Sequence, residues 1–242
     1  MNNESIRYIP KFKIILSGII LLFTFTVPGQ QTKSNPYGLE IIKGIEEYDS
    51  LIKGDSLKRL VDLTKYIPGI RLDIRYATRN NFTHEVIYTE SRAYVRLPVA
   101  KALRAIQKAL RSKGLGLKVF DAYRPYSATL QFYQIMKDTV FVAAPWKGSR
   151  HNRGCAVDAS LIDLTTGKEL NMPTPFDDFT KKAGSTYPDL PKKVLKNRSM
   201  LINEMNAGGF TVYPDEWWHF DYKGWEKYEL MDLSFEELDE VR

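Results

Sequence analysis

The 242-residue sequence holds a single cysteine, Cys155, and only three histidines, His84, His151 and His219. One cysteine excludes an internal disulfide framework and any multi-cysteine zinc cluster. No run of basic residues is interleaved with aromatics, so no nucleic-acid groove is expected. Nothing calls for an obligate protein partner either. Neither sign of charge dominates: Lys+Arg 35 against Asp+Glu 29 leave a net +6, which is a mixed surface. A membrane-length apolar run is also missing. The apolar stretch 14–27 is short of the ~20 residues that span a bilayer.

That stretch has a different meaning. Arg7, Lys11 and Lys13 precede it and Pro28-Gly29-Gln30-Gln31 follow, which is the layout of a secretory signal. Residues 1–33 are therefore expected to be a signal peptide or N-terminal anchor. The protein is expected to be exported, periplasmic or secreted rather than cytoplasmic, touching a membrane only through this segment if it stays uncleaved. No cysteine lies near the end of the run, which excludes a lipoprotein.

An apolar content of 43% suffices for one sizeable core. Residues 34–58 are polar and read as a linker with a short helix around 46–51. A single domain over 59–232 follows, then a tail at 233–242. Strands are expected at 60–63 and at 70–76, where apolar and charged residues alternate with the period of a half-buried strand. Pro98 suits the first turn of a helix. Val99, Leu103, Ile106 and Leu110 follow at helical spacing, opposite Lys101, Arg104, Lys108 and Arg111, until Gly114. Further strands are expected at 117–121, 156–162, 210–213 and 218–222. Helices are expected at 127–138, with Ser127 as N-cap, and at 192–206, with Val194, Leu195, Leu201, Ile202 and Met205 inward. Helices and strands do not alternate strictly, so the class is α+β: a mainly antiparallel sheet flanked by helices.

Two segments carry the chemistry. Residues 149–158 read Ser-Arg-His-Asn-Arg-Gly-Cys-Ala-Val-Asp, and 216–219 read Glu-Trp-Trp-His. Together they offer two imidazoles, a ligating carboxylate and a spare carboxylate. A catalytic zinc site needs that inventory: three protein ligands, an open position for water and a base beside it. His151, Asp158 and His219 are the expected ligands of one Zn²⁺ per chain, and Glu216 the base. Side chains in a strand alternate faces, so His151 and Asp158 have opposite parity and the chain must bend between them. Gly154 is the residue able to take that bend. Glu216 and His219 also differ in parity, which places Glu216 on a loop after Pro214. Arg124, ending a strand before Pro125, is the candidate to stabilise a developing oxyanion. Its plainer reading is an ion pair with a carboxylate such as Asp121. His84 is expected to face solvent, Cys155 to be a small buried residue, and Trp217 and Trp218 to be core and pocket wall. Asp163 and Asp221 are expected to be solvated or structural.

The spacing Ser149-x-His151-x-x-Gly154-x-Ala156-x-Asp158 with Glu216-x-x-His219 resembles that of the zinc D,D-peptidases, which share a fold with hedgehog signalling domains. Three further segments look like those of D-alanyl-D-alanine dipeptidases of the VanX type. They are Asp121-Ala122-Tyr123-Arg124-Pro125, Tyr76-Ala77-Thr78 followed by Asn81-Phe82-Thr83, and Glu216-Trp217-Trp218-His219. The resemblance implies a hedgehog/DD-peptidase-like fold and hydrolysis of the small dipeptide D-Ala-D-Ala to free D-alanine. It implies the same ligands, Glu216 as base and Arg124 at the transition state. It also implies that Tyr76 and Asp177 hold the substrate's free amino group, with Ser149 as a further contact. The segment between Arg124 and His151 is shorter than in the vancomycin-resistance enzymes, so a different pocket lid is expected. The alternatives are a zinc D,D-carboxypeptidase or endopeptidase trimming peptidoglycan peptides, and a wall-binding module without turnover.

Overall fold

The computed structural model describes residues 35–240, and the expected signal segment lies outside them. The elements in order are β1 (Ile41–Ile42), α1 (Ile45–Gly54), β2 (Leu60–Asp62), α2 (Leu63–Tyr66), β3 (Arg71–Leu72), β4 (Tyr94–Arg96), α3 (Leu97–Arg111) and β5 (Leu115–Asp121). They continue with α4 (Tyr126–Ile135), β6 (Ala156–Asp163), α5 (Lys192–Ala207), β7 (Phe210–Tyr213), β8 (Glu216–Tyr222), β9 (Leu230–Met231) and α6 (Phe235–Glu240). The main sheet runs β3-β5-β6-β8-β7. Only its β3–β5 pair is parallel, so the expected α+β class with a mainly antiparallel sheet holds.

Helix α3 buries Val99, Leu103, Ile106 and Leu110, the stripe read from the sequence, and packs on β5. Helix α5 buries Leu201 and Met205, but Asn197 and Arg198 sit beside them while Val194, Leu195 and Ile202 are only half-buried. Arg198 is held inside because its guanidinium donates to the carbonyls of Gly184 (3.2 Å) and Tyr187 (2.8 Å). Among the described residues no helix is long and apolar enough to cross a membrane.

Several boundaries differ from expectation, each for a long-range reason. The strand expected at 70–76 pairs only at Arg71–Leu72 before a 3₁₀ turn, Arg75–Ala77. The turn swings the Tyr76 ring inward, 4.6 Å from Phe132. The strand at 60–63 stops at Asp62, whose carboxylate accepts the Thr64 N–H at 2.8 Å and caps α2. Helix α4 begins at Tyr126 without a cap from Ser127. Asp232, more than a hundred residues on, accepts the Ser127 N–H at 2.8 Å instead.

The stretch 34–58 is not a linker. It contains α1, β1 pairs in parallel with β9, and Tyr48 is 2% exposed, with its hydroxyl accepting the Leu60 N–H at 2.5 Å. Nor is 233–240 a loose tail. Phe235 and Leu238 of α6 are buried, and the Phe235 ring packs against Tyr88 (5.2 Å) and Tyr94 (6.1 Å). Arg92 fastens the helix by pairing with Asp239 while reaching Asp62 at 3.0 Å.

Candidate metal centre and its pocket

One row of side chains crosses three strands: Asp121 of β5 pairs with Asp158 of β6, which pairs with His219 of β8. Both flanking ladders are irregular at that row. On β5, Val119 pairs with Ala159 but Asp121 with Asp158, so Phe120 bulges out. On β8, Val212 pairs with Phe220 but Tyr213 with Glu216, so 217–219 loop away from β7. Bulges re-aim side chains, and here they resolve the parity problem at Glu216. Glu216 opens β8 rather than sitting on a loop, and its Oε2 lies 3.8 Å from His219 Nδ1.

His151 arrives from outside the sheet. It starts a 3₁₀ turn, His151–Arg153, closed by Gly154 in the left-handed region (φ 66°). A Cβ on Gly154 would lie 2.6 Å from Leu60 Cδ2 and 3.3 Å from the Arg96 backbone nitrogen, so space as well as φ requires glycine. Ser149 Oγ accepts the His151 N–H at 3.1 Å, and the Ser149 N–H donates to Asn152 Oδ1 at 2.7 Å.

These elements bring His151, Asp158 and His219 together as one possible metal-holding group. His151 Nε2 is 3.2 Å from His219 Nδ1, and Asp158 Oδ1 is 3.4 Å and 3.0 Å from those two nitrogens. Ligands ~2.0–2.1 Å from a tetrahedral ion lie roughly 3.3 Å from one another, so the triangle fits zinc. The outer ring nitrogens are occupied. His151 Nδ1–H donates to the Ala122 carbonyl (2.7 Å), and His219 Nε2 meets Asp221 Oδ1 (3.0 Å). Asp221, expected to be solvated or structural, thus touches one of the three candidate ligands. Its signal was available: two positions beyond His219 on a strand, it shares that residue's face.

Charge around the triangle is tightly organised. Burial disfavours the Asp158 carboxylate, but His151 and His219 outweigh this and hold its pKa below the usual range. Burial likewise works against a charged His219, yet hydrogen bonds to Asp158 and Asp221 keep its pKa well above the ordinary value. Glu216 is pushed up to about 7, mainly by burial and also by nearby Asp158. Arg124 is 7% exposed and forms the pair expected of it: Nε and Nη2 donate to Asp121 Oδ2 at 3.0 and 2.7 Å. It also faces the pocket, its guanidinium over the rings of Phe132 (4.7 Å) and Tyr76 (5.3 Å).

The triangle opens into a cavity of about 370 Å³ that also reaches Tyr76, Ser149, Asp177 and Glu216. Tyr76 Oη donates to Asp177 Oδ1 at 3.1 Å. Asp177 holds φ at 61°, rare for a non-glycine residue, and its buried Oδ2 has no hydrogen-bond partner among the described residues. Burial and the charge of Asp158 push its pKa well above the carboxylate range. The opposite wall is irregular chain from 139–148, including Val140 and Trp146, 54% and 44% exposed. That wall lies in the segment between Arg124 and His151, where the resemblance puts the pocket lid. Trp218 lines the cavity and Trp217 donates from Nε1 to Thr174 Oγ1 at 3.0 Å. Cys155 is buried, with its thiol pushed up to about 12 by burial. His84 is exposed, away from the site. The carboxylate of Asp163 accepts the Thr165 and Thr166 N–H groups in a surface turn.

A family model described as D-ala-D-ala dipeptidase matches residues 56–236. The D-alanyl-D-alanine dipeptidase of Escherichia coli (strain K12) is 33% identical over 176 residues, which is 73% of this chain and 91% of that protein. The D-alanyl-D-alanine dipeptidase of Enterococcus faecalis (strain ATCC 700802 / V583) is 29% identical over 178 residues, 65% of this chain and 88% of that one. Among solved structures, the LdcB LD-carboxypeptidase matches with a TM-score of 0.39 and 21% identity, over 75% of this chain and 77% of that one.

Proposed function

The chain belongs to the D-ala-D-ala dipeptidase family, and from that premise we propose that it hydrolyses D-Ala-D-Ala to two molecules of D-alanine with one zinc ion per chain. The observation that carries this reading is the triangle of His151, Asp158 and His219 with Glu216 just outside it, opening into a pocket that also holds the Asp177 carboxylate, one of whose buried oxygens has no partner among the described residues. Zinc bound there supplies a Lewis acid and lowers the pKa of the water it binds.

The chain's own residues do the rest. Glu216 takes the proton of the attacking water and delivers it to the leaving amine nitrogen. A carboxylate whose pKa is lifted by burial toward neutrality is suited to both halves of that transfer. Arg124, held rigid by Asp121, presents positive charge where the carbonyl oxygen becomes negative. Asp177 receives the substrate's ammonium group, gaining the charged partner that its Oδ2 lacks, with Tyr76 fixing the carboxylate. The Ser149 hydroxyl accepts from His151 and keeps its own hydrogen for a substrate oxygen.

A free amine beside the scissile bond is thereby the selecting feature, and a wall peptide acylated at that nitrogen leaves Asp177 buried and unpaired. Purified protein incubated with D-Ala-D-Ala and with its N-acetyl analogue should release D-alanine from the free dipeptide. A chelator should stop the reaction, and one equivalent of zinc should restore it. Release from the acetylated compound alone would overturn the reading in favour of a D,D-carboxypeptidase. We place the reaction outside the cytoplasm, on the strength of the basic and then apolar residues before position 28. Fractionation of cells expressing the full chain, with activity found only in the cytoplasm, would refute that placement.

A further inference from the structure

His151 and His219 are backed differently. Behind His151 stands a neutral acceptor, the Ala122 carbonyl, at 2.7 Å. Behind His219 stands a carboxylate, Asp221 Oδ1, at 3.0 Å. The arrangement follows from β8 itself: residues 219 and 221 project from one face, with His219 opposite Asp158 and Asp221 opposite Ala156. Ala156 has no polar side-chain atom to compete for Asp221. The Asp221 side chain is 15% exposed, so its bond to the ring is largely shielded from water.

An arginine also stands near Asp221 without a hydrogen bond to it. Arg150 Nε lies 3.6 Å from Asp221 Oδ2, and the Arg150 guanidinium rests 4.8 Å from the centre of the Trp225 ring. The same ring receives Arg153 at 5.5 Å. Each imidazole thus has an aspartate–arginine pair behind it: Asp121 with Arg124 near His151, and Asp221 with Arg150 near His219. Only the second pair touches its imidazole through a carboxylate at hydrogen-bond distance.

A neutral imidazole carries one N–H, and a nitrogen that binds a metal must be the other one. An acceptor at Nε2 therefore selects the tautomer whose Nδ1 lone pair faces Asp158 and His151. A charged acceptor also makes the ring a stronger donor to the metal. We propose that Asp221 is a positioning residue, which favours the metal-binding tautomer of His219 and strengthens it as a ligand. This rests on the reading that His219 is a zinc ligand.

The test measures zinc dissociation constants by chelator competition for wild type, H219A, D221A and D221N, alongside the melting temperature of each metal-free protein. Asp221→Ala should weaken zinc binding 10–100-fold, the range found when such outer partners of metal ligands are removed. Asp221→Asn, whose amide oxygen still accepts the N–H but has no charge, should fall between it and wild type. In ¹⁵N NMR of the metal-free proteins at alkaline pH, Asp158 at Nδ1 and Asp221 at Nε2 compete for the one His219 proton, so D221A should shift the ring toward the Nδ1-protonated tautomer relative to wild type, and an unshifted tautomer ratio counts against the proposal. A D221A constant within twofold of wild type overturns the proposal. Should D221A not fold, D221N within twofold does the same. A lowered melting temperature with unchanged zinc affinity marks a purely structural residue and also overturns it. A wild-type protein that binds no zinc, or H219A that binds it as well as wild type, refutes instead the prior assignment of His219 as a ligand.

Discussion

The two walls of the cavity are built on opposite principles. One is sheet: Asp158 and His219 line it in a cross-strand row that continues to the buried Asp121, whose oxygens accept from Tyr88, the Ala122 N–H and Arg124. The other is irregular chain, where Asp177 is held at φ 61° with one oxygen unpartnered, and Trp146 and Val140 stand half in solvent. The Asp121 oxygens behind the first wall are already partnered, whereas Asp177 on the second keeps one oxygen without a partner among the described residues. Groups that must stabilise a transition state gain from being fixed in advance, whereas groups that choose a substrate gain from lacking a partner until the right one binds.

The sharpest way to break this contrast is at Glu216. Glu216→Gln should lower kcat by roughly 10²–10⁴, the usual contribution of a general base, with zinc content unchanged by metal analysis. Arg124→Lys keeps the charge but loses the two-nitrogen grip on Asp121, and kcat should fall about 10²-fold with little change in KM. On the other wall, Asp177→Asn should act selectively. It should cost D-Ala-D-Ala about 10–100-fold in kcat/KM, as expected for losing one charge-assisted hydrogen bond, with any turnover of the N-acetyl analogue unchanged. Equal losses on both compounds would erase the distinction between the walls. Trp146→Ala should move KM by roughly threefold or less, since exposed substitutions rarely exceed about 0.5 kcal/mol.

Glu216 also leaves a mark on stability. Folding raises the Glu216 pKa from its ordinary value of 4.5 to about 7, so the metal-free folded state binds this proton more tightly than the unfolded chain. The resulting stabilisation is complete below the unfolded pKa and is lost as pH rises through about 7. Metal-free E216Q should therefore be more stable than metal-free wild type at pH 8, by on the order of 3 kcal/mol at most, with the gap closing by pH 4. Denaturant titrations of both metal-free proteins at the two pH values read this directly.

The convergence of His151, Asp158 and His219 was legible because residue type and spacing carry it: histidine, glycine and aspartate within ten positions, then glutamate three before histidine. The Gly154 bend was legible from parity. What escaped was non-local. No sequence window shows that β8 bulges against β7, so parity alone points Glu216 to a loop. No window shows that Asp232 caps α4, or that Tyr48 and Phe235 draw the two flanks of the chain into the body. Asp221 escaped because a surface reading of an isolated aspartate is the ordinary one until the strand's face is known.

The pairing of Ile41–Ile42 with Leu230–Met231 joins strands from near the two ends of the described chain. A growing polypeptide cannot make that pair until synthesis is nearly finished, and β8, which supplies Glu216 and His219, also emerges late. The early portion must wait for its closing strands, so the protein completes its body only after leaving the ribosome.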